Sequence, residues 1–338
     1  MTDSDPAPDP APHARPSMGE RLLFAIPSAL IYGVILYLML WQGTDTMLPF
    51  IAGLIFMPMA IAGTASVLAD PRGEGRLWRH IKIGWICIGL FTLLSFAVLH
   101  EGGICAVMAA PFFCGASALG SWLSFLCLRK LRSRSAVSCV IALPLLGLPG
   151  MPDAPAPPLE GQVRSVVEIA APPSAVWANT VAIADIRPEE RIWTFSHNVV
   201  GVPRPIDARL AGQGVGAVRH LRWTRGVTFE EVVTGWQQDR ALAWTFRFGP
   251  GAIPQAVEGH VKVDSPYLKL TGGDYRLSPL PGGRTRLVLT THYRIATPIN
   301  AYCDLWGHIF LEDFHGAVLH VIKARSEAAA LTAGNGVS

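Results

Sequence analysis

Residues Val227 to Phe248 read VTFEEVVTGWQQDRALAWTFRF, two runs of alternating apolar and polar side chains on either side of the polar turn QQDR. Successive side chains of a strand point to opposite faces, so Phe229, Glu231 and Val233 share one side, as do Leu242, Trp244, Phe246 and Phe248 on the next run. The pattern predicts two antiparallel strands joined by a short turn, each with one apolar face to bury. The alternation continues in both directions. Upstream, AVRHLRW (217–223) puts Leu221 and Trp223 on one side and enters the turn TRG. Downstream come HVKVD (260–264), YLKLTGGDYRL (267–277), the turn SPLPGG, and TRLVLTTHYRI (285–295), where Leu287, Leu289, Thr291 and Tyr293 form one row.

Further out, QVRSVVEIA (162–170) alternates as a strand, and PPSAVWANTVAIADI (172–186) opens with prolines suited to a first helical turn. VGVPRPIDARLAGQGVG (200–216) is expected to be a proline-broken loop. From Ile299 to Leu331 the chain reads as one long helix. Its Tyr302, Trp306, Phe310, Phe314, Ala317 and Val321 recur every three or four residues as an aromatic stripe. A curved antiparallel sheet closing around this helix buries both apolar faces. The expected C-terminal fold is therefore an α+β helix grip.

The preceding half is of another kind. Of the 338 residues, 50% are hydrophobic and 16% charged, and nearly all the long uncharged runs lie before Met151. Leu22 to Trp41 carries no charge over the roughly 20 residues that cross about 30 Å of hydrocarbon, and it is too long for the apolar core of a signal peptide. Leu48–Ala69, Ile83–Leu99 and Ile104–Leu128 are three further expected spans, the last containing Pro111. Basic residues fall before the first span (Arg15, Arg21), between the second and third (Arg72, Arg76, Arg79, Lys82) and after the fourth (Arg129, Lys130, Arg132, Arg134). The loops QGTDTM and HEGG hold none. The N-terminus and both basic loops are thus expected to be cytoplasmic. Ser135 to Met151 is an uncharged run at the lower limit for a fifth span, weakened by Pro144 and Pro149. Its crossing would put the C-terminal domain on the periplasmic or extracytoplasmic side of an inner or plasma membrane.

The expected organisation is a disordered tail at 1–20, a helical membrane bundle of four to five spans at 21–151, and a Pro-rich linker at 152–160. A ligand-binding domain follows at 161–331 and a flexible tail at 332–338. The net charge of +3 is spread over both halves without a basic stripe, which argues against nucleic acid as a partner. Five cysteines fall in apolar runs and Cys303 stands alone, so neither a disulfide framework nor a zinc spacing is present. GQGVGA precedes a strand instead of opening a helix, which argues against a dinucleotide cofactor; no cofactor is expected.

The segments VVEIAAPPSAVW, GVGAVRHLRW, VTFEEVVTGWQQDRALAWTFRF, GGRTRLVLTTHYRI and WGHIFLEDFHGAVLHVIKARSE together resemble the SRPBCC or START-like superfamily, which includes polyketide cyclase/dehydrase and lipid-transport-like proteins. The resemblance covers about Gln162 to Ala329. It implies a helix-grip fold enclosing a cavity for a lipid, polyketide or aromatic compound, with no single catalytic motif common to the group. The wall expected for such a cavity comprises Leu221, Trp223, Phe229, Trp244, Phe246, Tyr293, Tyr302, Trp306 and Phe310.

Among polar residues, Asp313 and His320 fall in the apolar stripe of the last helix and Glu231 on an apolar strand face, which makes them candidates for fixing a polar ligand group or for acid–base catalysis; structural pairing is the plainer reading. Glu230 and Glu231 point to opposite sides and form no paired-carboxylate site. His308, Glu312 and His315 share a helical face away from the aromatic stripe, where a solvated surface is expected and no metal site. Three functions fit: a membrane-anchored binding or transfer protein for a hydrophobic ligand, in contact with membrane lipids; a cyclase or dehydratase using the same cavity; and a ligand-free interaction or sensory module. The sequence names no protein partner.

Overall fold

The computed structural model describes residues 16–41, 52–98, 102–131, 142, 157–255, 257 and 263–335. The chain divides into two compact units, Met1–Phe91 with Phe112–Met151 and Thr92–Pro111 with Pro152–Ser338. The expected fifth span at 135–151 lies outside the described residues apart from Ala142, as do most of the linker and the N-terminal tail.

Four helices form the N-terminal part: α1 (Met18–Trp41), α2 (Met57–Ala69, entered through a π-helical turn at Ala52–Phe56), α3 (Leu77–Val98) and α4 (Gly103–Leu126). All four are long and apolar enough, with their flanking turns, to cross a membrane. In hydrocarbon only a helix satisfies its own backbone, and small residues let helices approach closely. Gly120 of α4 is such a site: a Cβ there would lie 2.2 Å from the Met59 carbonyl oxygen of α2. Charge is not absent from this part. Asp70, just beyond α2, is buried and accepts the Gly75 N–H at 2.6 Å and Arg79 Nη2 at 3.3 Å, closing the basic loop between α2 and α3. Ser66 Oγ lies 2.5 Å from Nδ1 of the fully buried His80.

The C-terminal part is one antiparallel sheet with helices on its concave side. Its strands are β1 (Leu159–Ile169), β2 (Pro205–Ala211), β3 (Val218–Trp223), β4 (Thr228–Gln237), β5 (Ala241–Arg247), β6 (Leu268–Leu280) and β7 (Arg284–Ile295). The seven strands lie in the order β1-β7-β6-β5-β4-β3-β2. A short helix α5 (Pro173–Val181) follows β1, and α6 (Asn300–Asn335) ends the described chain. The expected loop at 200–216 contains a strand, β2. Proline lacks the ladder N–H and is tolerated as the first residue of an edge strand, which is where Pro205 stands. Most of the expected strand at 260–264 lies outside the described residues; Asp264 forms a single bridge to Lys269.

Register follows the apolar rows. Leu221 pairs Phe229, Arg219 pairs Glu231, Glu231 pairs Phe246, Val233 pairs Trp244, and Leu242 pairs Tyr275, all on the concave face. Gly273, just past a bulge between Leu270 and Gly272, makes room for Trp244, since a Cβ there would stand 2.7 Å from its indole. Ile169, Trp177, Leu242, Leu277, Leu287, Leu289, Val321 and Ile322 form the buried core between sheet and helices. α6 packs on β1 and α5 and, of the other strands, mainly on β7.

Candidate functional site

On the β3–β5 side of the concave face, aromatic rings form a belt. Phe229 stacks on Phe248 at 5.3 Å between centroids and lies 6.1 Å from Phe246 and 5.9 Å from Trp223. Trp223 meets Phe314 of α6 edge-on at 5.2 Å. Along α6 the i, i+4 spacing carries the belt on through Phe310, Trp306 and Tyr302, with Trp306 and Phe310 stacked at 5.5 Å. Trp223, Phe229, Phe246, Phe248, Phe314 and Trp306 are only half-buried although they face the concave side. The indole N–H groups of Trp223 and Trp306 are buried and have no hydrogen-bond partner among the described residues.

Below the belt lies a charged pair. Arg219 is 2% exposed and Glu231 5% exposed, and their side chains are in direct contact. The guanidinium also lies 5.3 Å from the centroid of the Trp244 ring and 5.8 Å from that of Tyr275. Burial pushes the Glu231 carboxyl upward and Arg219 opposes it. Burial likewise raises Tyr275 to about 12. Arg219 Nε and Trp244 Nε1 lack partners among the described residues.

The structure thus brings Leu221, Trp223, Phe229, Phe246, Tyr302, Trp306 and Phe310 onto one belt, with Trp244 beneath it beside Arg219. Tyr293 is not part of it. It is buried with Val163 and Ile295 and donates its hydroxyl to Asp304 Oδ1 at 2.6 Å. Asp313 accepts from the Ser196 N–H at 2.7 Å and Ser196 Oγ at 2.6 Å, a structural tie across the sequence. His320 is exposed, contrary to its placement in the stripe: at about 100° per residue it stands opposite the fully buried Ile322, the centre of an arc flanked by Leu319 and Val321. His315 is the reverse correction. It is 4% exposed, with Nδ1 3.0 Å from Ser165 Oγ of β1 and Nε2 2.8 Å from Thr291 Oγ1 of β7. The helix is held on that side as well, so its polar-looking face is partly interior; His308 and Glu312 do remain in solvent. Burial pushes the His315 imidazole down to about 4.

One residue absent from the sequence reading is His197, in a π-helical turn at Ser196–Val200. It is 7% exposed, stacks on Phe314 at 5.4 Å and lies edge-on to Trp223 at 6.2 Å. It lines a recess with a volume of about 10 Å³ together with Ile186, Glu190, Arg191, Ile192, Arg204, Pro205, Ala317 and Val321, none of them a residue of the belt.

One strand, a short helix, six successive antiparallel strands and a long C-terminal helix laid on the concave face make up the helix-grip arrangement. The C-terminal half has a helix-grip fold. No protein-family model matches the sequence and no curated protein matches it. Similar solved structures include the Zhui aromatase/cyclase from Streptomyces sp. R1128, at 17% identity over 51% of this chain and 96% of that one with a TM-score of 0.33. Norcoclaurine synthase from Thalictrum flavum is similar at 10% identity over 48% of this chain and 92% of its own, with a TM-score of 0.30. Ara h 8.0201 is similar at 8% identity over 49% and 98%, with a TM-score of 0.31.

Proposed function

We propose that this chain is a membrane-anchored binding or transfer protein that holds a hydrophobic, ring-bearing ligand against the aromatic belt of its C-terminal domain. The observation that carries the reading is the half-buried state of Trp223, Phe229, Phe246, Phe248, Phe314 and Trp306 on a concave face. A soluble domain exposing such a run of large apolar side chains gains from covering them, and stacking suits a flat apolar partner. A few unpartnered polar groups on an apolar wall are what orients such a ligand. The four apolar helices would supply the anchor. The basic loops favour a cytoplasmic N-terminus, and crossing by 135–151 would place the domain on the extracytoplasmic face, joined by a proline-rich spacer. Reporter fusions at the C-terminus that are active only outside the cytoplasm test that side.

Native mass spectrometry of the full chain released from nanodiscs, with identification of retained small molecules, tests the binding reading. A stoichiometric apolar adduct, weakened by Trp306→Ala, is the expected result; a folded chain with no adduct, and no uptake of aromatic probes, would overturn it. A second reading, acid–base catalysis on the bound ligand, is favoured by one feature: Glu231 is a buried carboxyl with a raised pKa on the same face. Turnover of an identified ligand that survives Glu231→Gln would remove it as the acid or base.

A further inference from the structure

The segment from Arg191 to Ile206 reads RIWTFSHNVVGVPRPI and contains no acidic residue. Its two sides differ. Inward, Phe195 stacks on Trp306 at 6.5 Å between centroids and His197 on Phe314 at 5.4 Å, so this side packs on the helix end of the belt. Outward, Trp193 is 69% exposed and Val199 61% exposed. The turn between them is tied down: Ser196 donates from its N–H and its Oγ to Asp313, and the Val202 N–H donates to the Ser196 carbonyl at 2.9 Å. Trp193 and Val199 are therefore presented to the outside by an ordered segment. Arg191 is exposed beside Trp193, and the exposed Arg225 donates to the Gly201 carbonyl. An outward tryptophan with cations and no carboxylate suits the headgroup layer of a bilayer, where an amphipathic ring and lipid phosphates meet.

Next to this segment lies the beginning of α4. Thr92–Pro111 belongs to the same compact unit as the C-terminal domain, and Gly103, the first residue of α4, packs on Val200: a Cβ there would collide with the Val200 carbonyl. Further along α4 the Met108 carbonyl accepts the Tyr302 hydroxyl at 2.7 Å. The apolar helical run continues from Gly103 to Lys130, 28 residues. At 1.5 Å per residue that is about 42 Å, against a hydrocarbon core about 30 Å thick. Its ends therefore stand in the headgroup layers, and the contact with Gly103 carries Val200 and its neighbours there. From this geometry we propose that Trp193 and Val199 dock into the headgroup layer of the bilayer that α4 crosses, with Arg191 and Arg225 toward the lipid phosphates. The Trp306 end of the belt then lies at the membrane surface, where an apolar ring compound accumulates. The inference rests on the membrane-anchored reading above and adds the surface through which the C-terminal domain meets lipid.

The test places the photoreactive residue p-benzoylphenylalanine, one position at a time, at Trp193, Val199, Ile31 and Val166 of the full chain in nanodiscs of palmitoyl-oleoyl phosphatidylcholine. After illumination, the fraction of chain that gains the mass of one phospholipid is measured. Ile31, 62% exposed on α1, is the lipid reference; Val166, 52% exposed on the sheet face turned away from α6, is the aqueous reference. Positions 193 and 199 are expected to form the adduct several-fold more than 166 and to a degree comparable with 31. Adducts at 31 alone overturn the docking surface and leave the anchor standing. No adduct at any of the four positions overturns the anchor and the docking surface together. Equal adducts at 166, 193 and 199 mean that no face is preferred and also overturn the inference. A second measurement needs no photoprobe: in nanodiscs of brominated phosphatidylcholine, the quenched share of tryptophan emission should fall in Trp193→Phe, a change at an exposed position that leaves the fold intact. A share equal to that of the wild type would place Trp193 in water and overturn the proposal.

Discussion

Replacing Arg219 by methionine leaves Glu231 as a buried carboxylate without its partner, and this makes the pair the most sensitive point of the sheet. Arg219 and Glu231 face each other across β3 and β4 at 2% and 5% exposure, so neither can turn to water. Removing one member of a buried pair costs about 3–5 kcal/mol. For a domain of this length each kcal/mol moves the midpoint by roughly 2–4 °C, so Arg219→Met should lower Tm by about 6–20 °C. The sign with pH is also fixed. With the guanidinium gone, nothing opposes the upward push of burial on Glu231, so its folded-state pKa stands above the unfolded value of 4.5. A raised pKa gives stability that is fully present below the unfolded value and is lost as pH rises through the folded one. The variant should therefore melt higher at pH 5 than at pH 8, losing up to about 1.4 kcal/mol per pH unit within that window. Arg219→Met with Glu231→Leu removes both charges and should recover most of the loss. Thermal melting followed by tryptophan fluorescence reports the change directly, because Trp244 lies against the guanidinium. An Arg219→Met chain within about 1 kcal/mol of wild type, or one that is more stable at pH 8 than at pH 5, would refute the argument.

Other expectations concern the helix α6. His315 is held neutral, its pKa lowered to about 4 from 6.5, so its contribution is fully present above pH 6.5 and lost as pH falls toward 4. That contribution amounts to about 3 kcal/mol, and His315→Gln should flatten the wild-type loss of stability across that window in pH-dependent melts. Glu190 accepts from Arg325 at 2.7 and 2.8 Å and from the Arg187 N–H at 2.8 Å; the Arg325 guanidinium, against the effect of burial, holds its carboxyl well below the usual range. Its stabilisation is present above about pH 4.5 and lost on acidification, and Glu190→Gln should destabilise the chain at pH 7 by about 1.5–3 kcal/mol in denaturant titration. His320→Gln, at an exposed position, should leave both melting and probe binding within experimental error of wild type.

Much of the architecture is legible in the sequence because it rests on local periodicity. The β4–β5 pair, its concave row of Leu242, Trp244 and Phe246, and the long final helix follow from period-2 and i, i+4 spacing alone. What periodicity misses depends on partners distant in the chain. β2 was hidden by the prolines around it, since an edge strand tolerates Pro205 only once the sheet order is known. His315 looks solvated when one apolar stripe is taken as the whole buried face; its partners Ser165 and Thr291 are 150 and 24 residues away, and their hydroxyls carry no apolar signal. Tyr293 has the right strand parity for the belt but the wrong place along the sheet, because parity gives the face and not the position under the helix. His197 sits in an aperiodic turn, and its stacking on Phe314, 117 residues away in the chain, leaves no local signal.

The position of the aromatic belt follows from a mismatch of widths. Seven strands leave six gaps of about 4.8 Å, or roughly 29 Å across, whereas a helix with its side chains is about 10–12 Å in diameter. Among the strands α6 lies mainly on β1 and β7, so the concave side chains of β3 to β5 extend beyond what it covers. Large rings that pack on one another can close part of that area, and they do so incompletely, as the half-buried state of Phe229, Phe246 and Phe248 records. Stability and binding should therefore separate along the sheet. Leu287, fully buried under the helix, should cost about 2–5 kcal/mol when changed to alanine, with the affinity of the folded chain for naphthalene probes unchanged. Phe246→Ala removes a partly buried ring and should cost less in stability while weakening probe binding several-fold. Dialysis and melting on the same two variants decide the matter: if Leu287→Ala weakens binding as much as Phe246→Ala does, the uncovered half of the sheet is not where the ligand sits.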